Sequence, residues 1–334
     1  MTLAPSQIWA HAGRHHLEAL ANPWYVMLAR LHGHVADLTV DFWRAKTAQT
    51  LFLPITTGSI SSPTGRGSDS TPVAVELAGV RTYLADSMQF MLEFGCRLTG
   101  RACYYVMPSF RGDPIDATHL SQFFHSEAEI PGGLDEVQIV VEEYIRHLTA
   151  GLLVREADAL RAAGRELRDL EDVAERKPFE QISFSEALPL AGEGGVVQHQ
   201  GWRSLTRTGE LALIDKVGQF TWVAEWDHLA VPFYQAFADA GRATARNADL
   251  LFGLGEVVGA GERHATPDQV TEALTLHCVD QEPYRWYSEM REARPMRTAG
   301  FGMGVERFLA WLVGHHDIRD LQLVPRENGR DIVP

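Results

Sequence analysis

Basic residues are in deficit: 30 Lys and Arg stand against 44 Asp and Glu in 334 residues, a formal net charge of -14 at pH 7. A surface that grips nucleic acid through its phosphates needs clustered cations that release counterions, so this balance argues against one. Cysteine is scarce too. Cys96, Cys103 and Cys278 are odd in number and lack CxxC spacing, which excludes a disulfide framework and a zinc knuckle and leaves buried free thiols. No apolar run reaches the roughly 18 to 20 residues of a membrane span, and residues 1–16 lack the basic-then-apolar layout of a secretory signal. A cytoplasmic protein with no membrane partner is therefore expected. The sequence also lacks a fixed-period repeat, a low-complexity tract and the GxGxxG dinucleotide fingerprint. His15/His16 and His315/His316 invite a metal reading, but adjacent histidines do not share a helix face and no third ligand accompanies them.

What is present is an ordinary globular composition, 45% hydrophobic and 22% charged, long enough for one large domain or two. Residues 24–46 carry Val26, Leu28, Leu31, Val35, Leu38 and Phe42 at helical spacing. A strand candidate from residue 50 stops at Pro54, and the Ser/Gly/Pro-rich stretch 58–72 reads as a loop or lid. Two short strands follow at 73–79 and 81–86, then a helix from Ser87 to Leu98. Residues 102–113 and 118–130 read as a strand and its antiparallel return. From Leu134 to about Glu171 a helical stripe runs through Val137, Val141, Tyr144, Ile145, Leu148 and Leu152. Ser185 is the expected N-cap of a short helix, and residues 209–237 read as a strand pair.

Three stretches carry candidate chemistry. Residues 300–307, GFGMGVER, place Gly300, Gly302 and Gly304 at alternate positions, which leaves one face of an extended segment bare for a flat ligand. Arg307 follows at a helix start, a fixed cation suited to a polyphosphate, or else a partner for an acidic neighbour. The hairpin around residues 102–130 gathers Arg111, Asp113, His119, Glu127 and Glu129, either an internal ion network or a ligand site. In residues 247–264, Asp249 and Glu256 flank a turn at Gly253 and Gly255, so both carboxylates reach one face and suit Mg²⁺, a hard cation preferring oxygen ligands.

Together these stretches resemble the catalytic domain of class II aminoacyl-tRNA synthetases, aspartyl/asparaginyl branch, and most of all the short archaeal AMP-forming asparagine synthetase-like paralogues. GFGMGVERFLAWLVGHHDIRDLQLVPRENG is similar to the third family signature, PSFRGD to the second, and DLLFGLGEVVGAGER to the strand pair before the third. The resemblance implies an α+β fold, an antiparallel sheet of about six strands flanked by helices, usually a homodimer. It divides the chain into an N-terminal helical segment, 1–47, and a catalytic domain, 48–334, with a helical stretch at about 134–171.

Residue by residue, the resemblance assigns ATP to Arg111, Asp113, Phe123, Glu256, Gly302, Gly304 and Arg307. In it Arg111 stabilises charge at the α-phosphorus, Phe123 stacks on adenine, and Arg307 holds the γ-phosphate end. Asp249 and Glu256 hold Mg²⁺. The amino acid falls to Ser87, Gln89, Leu92, Glu127 and Arg263. Leu92 stands where aspartate-specific members have a lysine beside the arginine, which turns the expectation away from free aspartate. No protein nucleophile is needed, because catalysis is positioning plus charge neutralisation.

The implied activity is an AMP-forming ligase that adenylates an asparagine- or aspartate-like acid and passes the acyl group to ammonia or another amine. Autonomous tRNA binding is not expected, because residues 1–47 read as helices rather than an anticodon-binding barrel and the chain is acidic. The alternatives are asparaginyl-tRNA synthetase-like acylation of a tRNA or protein, and a non-catalytic paralogue that binds an amino acid and regulates.

Overall fold

A computed structural model describes residues 3–326 and 330, save 12, 68, 69, 176 and 177. Parts of the Ser/Gly/Pro-rich loop and the end of the third signature's tail fall outside the described residues. The central element is an eight-stranded sheet. In chain order its strands are β1 (Gln49–Thr50), β2 (Cys103–Phe110), β3 (Gln122–Pro131), β4 (Glu180–Ser183), β5 (Thr221–Ala224), β6 (Asn247–Phe252), β7 (Gly255–Glu262) and β8 (Thr298–Gly304). Their order across the sheet is β1-β2-β3-β8-β7-β6-β5-β4.

Neighbours from β2 through β5 are antiparallel, which matches the expected sheet of about six strands. The two edges add parallel partners, β1 on β2 and β4 on β5. Both edge strands are short, so neither offers a long template for pairing with another chain. Residues Val73–Leu77 and Val80–Leu84 form the expected hairpin, in a separate three-stranded sheet with Thr56–Thr57.

The period of two along a strand sorts side chains onto the two faces of the sheet. Ala299, Phe301 and Met303 of β8, Ala128 and Ile130 of β3, and Ala248, Leu250 and Phe252 of β6 enter the main core. That core is closed by α1 (Pro23–Ala45) and α3 (Leu134–Ala162), whose apolar stripes are the two that the spacing predicts, except that Val26 of α1 is 56% exposed and lies off the stripe. Trp43 of α1 stacks on Tyr104 and Phe301 at ring distances of 5.4 and 6.2 Å, so helix and sheet meet through aromatic faces. Leu148 and Leu152 are fully buried there, each worth roughly 1.5–3 kcal/mol of apolar transfer. The helical stripe is interrupted at Glu156, whose backbone leaves helical geometry. The opposite face of the sheet carries the polar residues.

Two local expectations are corrected. The short helix Phe184–Ala187 is capped by Ser183, not Ser185: the Ser183 hydroxyl accepts from Glu186 N while Glu186 reaches back to Ser183 N. Residues 209–237 supply one strand of the sheet, β5, preceded by helix α4 (Arg207–Lys216). The alternation Leu211, Leu213 mimics a strand, yet Thr206 accepts from Gly209 N and starts a helix whose Leu213 alone of the two is buried. Among the described residues no helix is long and apolar enough to cross a membrane.

Helix α2 (Gln89–Thr99) lies on the polar face, with α5 (Pro267–His277) and α6 (Arg285–Ala293) beyond it. The elements α2 and α6 are tied by Glu93, which accepts from Arg97 at 2.8 Å and from Arg291 at 2.6 Å, with all three side chains at most 2% exposed. Removing one cation leaves a buried carboxylate half-paired, so Arg291→Met is expected to cost about 3–5 kcal/mol in urea unfolding. A loss below about 1 kcal/mol, the range of surface pairs, would show that this network does not hold the elements together.

Candidate active site

Strand β8 runs through the middle of the polar face, and the alternation that buries Phe301 turns Gly300, Gly302 and Gly304 to the other side. They are not equivalent. A side chain at Gly300 would collide with Glu129 Oε2 and Gln89 Nε2, so that glycine is covered by protein. Gly302 and Gly304 do line open space. The bare surface is thus shorter than the three-glycine pattern suggests.

Two cavities meet on this face. The first, about 360 Å³, is lined by Arg111, Asp113, Phe123, Glu256, Gly302, Gly304 and Arg307. Arg111, just past the end of β2, is placed by its N–H to Ser121 O at 2.9 Å and lies 5.4 Å from the Phe123 ring centre. Phe123 and the guanidinium together make one flat, cationic wall. Arg307 sits in the first turn of α7 (Val305–Val313) and donates to Glu256 O at 2.7 Å and Thr118 O at 3.3 Å. Burial, with Arg111 nearby, pulls its pKa below the usual arginine value. An anion in this cavity relieves both cations. Asp113, which lines the same cavity, accepts from Thr71 N at 3.0 Å and Thr71 Oγ1 at 2.7 Å, anchoring the end of the Ser/Gly/Pro-rich loop at the rim.

The two carboxylates converge through a bulge. Leu250 pairs with Val258 and Leu251 with Glu256, so Val257 is an extra residue in β7. Without it Glu256 would follow Val258 into the core. The insertion rotates Glu256 to the polar face, where it and Asp249 Oδ1 both lie over Gly259. Burial and then the charges of Glu256 and Glu210 push the Asp249 carboxyl well above its ordinary value. Glu210, from α4, is raised to about 7 by burial and by Glu256. Excess negative charge beside two arginines fits Mg²⁺ held by one or two carboxylates and completed by phosphate oxygens. Among the described residues no group of three or more His, Cys, Asp or Glu forms a protein-only metal cage.

The second cavity, about 310 Å³, shares Arg111, His125, Glu256 and Gly302 with the first. Ser87, Gln89, Glu127, Asp249 and Arg263 line it as well. Glu127 accepts from Ser87 Oγ at 2.7 Å and from Tyr105 OH, and His125 Nδ1 lies 3.2 Å away. Arg263 donates to Glu129 Oε2 from Nη2 at 3.0 Å and to Gln235 Oε1 from Nη1 at 3.0 Å. Gln89 Nε2 donates to the same Glu129 oxygen at 2.6 Å. The arginine therefore arrives already neutralised by a buried carboxylate.

Leu92 is the exception among the expected site residues. It is fully buried in an apolar cluster with Ala85, Met88, Cys96, Cys103 and Tyr105 and lines neither cavity. Its helix is amphipathic, and position 92 falls on the core side of α2, away from both cavities. Sequence reasoning in turn missed Glu210, Arg207, Tyr234 and Gln235, which line the cavities from segments outside the three signature stretches. All but Arg207 lie in the stretch 209–237 that reads as a strand pair, and nothing in its local pattern marks them as site residues.

A family profile described as tRNA synthetases class II (D, K and N) matches residues 30–328. Among curated proteins, an asparagine-tRNA ligase of Koribacter versatilis is 27% identical over 302 residues, covering 88% of this chain and 66% of its own length. One from Chloroflexus aurantiacus is 29% identical over 261 residues, covering 74% of this chain and 58% of its own. The chain thus spans just under two thirds, or less, of these relatives. Asparaginyl-tRNA synthetase from Pyrococcus horikoshii, solved with asparaginyl-adenylate, superposes with a TM-score of 0.86 at 22% identity over 95% of this chain and 72% of its own. The Entamoeba histolytica enzyme, also with asparaginyl-adenylate, gives 0.79 at 20% identity over 91% of this chain and 68% of its own. At those identities the superpositions establish the fold.

Glu306, at the start of α7, accepts from Phe124 N at 3.0 Å, and burial raises its carboxyl from 4.5 to about 7. Between those values the folded protein holds a proton that the unfolded chain has released. Its contribution to stability is complete below pH 4.5 and is lost as pH rises through about 7. Glu306→Gln keeps the shape and removes the titration, so its stability should fall less than that of the parent between these pH values. Parallel stability curves in urea would place the proton elsewhere.

Proposed function

Because this chain belongs to the class II tRNA synthetases of the D, K and N branch, we propose that it activates asparagine with ATP and transfers the asparaginyl group to a tRNA. This replaces the expectation of a tRNA-independent ligase that passes the acyl group to ammonia or another amine. The relatives that match over most of the chain are named asparagine-tRNA ligases, which overturns that reading and, with it, the expectation that tRNA is not a partner. The net charge of -14 pointed the wrong way because it sums the whole surface. An acceptor strand meets the field at the mouth of a cleft, where Arg111, Arg207 and Arg307 converge.

The observation that carries the reading is the shared wall of the two cavities. Arg111 lines both, so a nucleotide in the first and an amino acid in the second meet beside one guanidinium. The amino-acid carboxylate oxygen attacks the α-phosphorus, the bond to the departing pyrophosphate breaks, and Arg111 neutralises charge on the phosphorus oxygens between them. Phe123 stacks on the base, and Arg307 takes the far phosphates. Asp249 and Glu256 would hold Mg²⁺, which when bound neutralises charge on the phosphates. Glu127, with Ser87 and Tyr105 already donating to it, takes the α-ammonium.

The side-chain end of the second cavity favours a carboxamide. Glu129 cancels the charge of Arg263, so an aspartate side chain would enter without a net cation to meet it, while an amide finds donors and acceptors on Arg263, Gln235 and Gln89. This reaches the conclusion drawn from Leu92 by a different residue.

ATP–pyrophosphate exchange tests the first step. Exchange should proceed with asparagine and be at least about tenfold slower with aspartate, the ratio expected from one charge-assisted contact. Arg111→Ala and Arg307→Ala should each reduce it by about a hundredfold or more, the usual effect of removing a transition-state cation or donor. Full exchange in either variant would remove that arginine from the reaction. For the second step, labelled asparagine should enter acid-precipitable material that ribonuclease releases. Label resistant to ribonuclease would instead mark a protein acceptor.

A further inference from the structure

Tyr234 and Gln235 form the wall of the second cavity behind the Arg263 guanidinium. The Tyr234 ring centre lies 5.2 Å from Arg263 Cζ, and Gln235 Oε1 accepts from Arg263 Nη1 at 3.0 Å. Yet the segment 231–236 belongs to no helix or strand ladder, apart from a single bridge between Gln235 and Arg263. Backbone bonds hold it at Gln235 N to Pro232 O (3.1 Å) and Ala236 N to Glu262 O (2.8 Å), while the Phe233 and Gln235 carbonyls are met by side chains. His264 Nε2 lies 3.0 Å from Phe233 O, and His228 Nε2 lies 2.8 Å from Gln235 O. The two carbonyls flank Tyr234 on either side.

The chemistry of these contacts settles the tautomers. A carbonyl only accepts, so both imidazoles carry their proton on Nε2. His228 Nδ1 then accepts, and the His277 Nε2 atom 3.0 Å from it must donate. That leaves the Nδ1 atoms of His264 and His277 as bare lone pairs, and both are buried with no hydrogen-bond partner. A second proton on any ring would create a buried N–H without an acceptor. Burial holds all three rings below the ordinary imidazole value, His264 and His277 at about 3. The set is therefore a fixed array of neutral donors, not a proton shuttle. The same unit supports the Ser/Gly/Pro-rich loop: Phe233 N donates to Thr64 O at 3.2 Å, and a side chain at Gly65 would strike His277 Nδ1.

We infer that His228, His264 and His277 are positioning residues: their N–H groups clamp the Phe233 and Gln235 carbonyls, directly or through His228, so that Tyr234 and Gln235 stay registered on Arg263 and set the affinity for the amino-acid side chain. A buried polar set costs desolvation that an apolar packing would avoid, so its return is geometry rather than stability. The inference deepens the proposed adenylation, and its kinetic arm rests on that reading.

The test uses two side chains of similar polarity and different reach. In His264→Gln and His228→Gln the amide nitrogen stands near the lost Nε2 and still donates. In His264→Asn and His228→Asn it falls short of the carbonyl. The asparagine variants should raise the KM for asparagine in pyrophosphate exchange by about tenfold, the effect of one lost hydrogen bond to the pocket wall, with the KM for ATP and kcat within about twofold. The glutamine variants should restore most of it. An unchanged asparagine KM in the asparagine variants, or equal loss in both kinds of variant, overturns the clamp. Amide hydrogen exchange over residues 231–237 supplies an arm independent of catalysis: faster exchange in His264→Asn and parent-like exchange in His264→Gln are expected, and identical rates in both overturn the clamp. A parent protein with no pyrophosphate exchange for any amino acid would sink the adenylation reading alone, leaving the clamp to be decided by amide exchange.

Discussion

The ion pair between Arg263 and Glu129 constrains the polar face more than any other contact. The two side chains are 3% and 0% exposed and 3.0 Å apart. Charges this deep persist only when geometry is good and the remaining hydrogen-bond positions are filled, and Gln89 and Gln235 fill them. The pair ties β3 to the end of β7 and to α2. It also dictates Gly300, since any side chain there would displace Glu129 and Gln89. By cancelling the arginine's charge it decides what the second cavity offers: directed N–H groups without a net cation. One buried contact thus links sheet register, glycine placement and ligand selectivity.

The rest of the site depends on the separation of the two sheet faces. Because α1 and α3 take the apolar side chains of β3, β6 and β8, the opposite face is free to carry Arg111, Phe123, Glu127, Asp249 and Glu256. Strand periodicity would send Glu256 to the wrong face, and the extra residue Val257 corrects it. Charge is then left unbalanced in both directions, with carboxyls of Asp249 and Glu210 pushed up and the arginine of Arg307 pushed down. Such opposed shifts within one cleft are the electrostatic mark of a site built to receive a charged ligand.

Legibility from sequence followed the distance over which each feature is determined. The stripes of α1 and α3 and the glycine alternation of β8 are local patterns, and apart from the exposed Val26 they appear in the structure where the spacing places them. Ser183 was displaced by Ser185 because two serines stand near one helix start and only the capping box with Glu186 separates them. Residues 211–214 read as a strand because four apolar or small side chains in a row fit either period. The parallel edge strands β1 and β4 are two and four residues long, too short to carry a pattern. Leu92 was assigned to the substrate by its place in a motif, but the turn of α2 directs it into the apolar cluster beneath.

By itself, the sequence determined the helices that bury the sheet and the three stretches that carry the candidate chemistry, which follow from periodicity and residue type acting over a few positions. The α+β class and the roles of single residues came from the resemblance of those stretches to the family signatures. The tertiary structure decided which of those residues meet. It joined two cavities at Arg111, turned Glu256 outward at a bulge, left Leu92 outside both cavities, and brought Glu210, Tyr234, Gln235, His228 and His277 from outside the signature stretches. Contacts between residues far apart in the chain arise from packing and from burial of charge, and neither leaves a local trace in the order of amino acids.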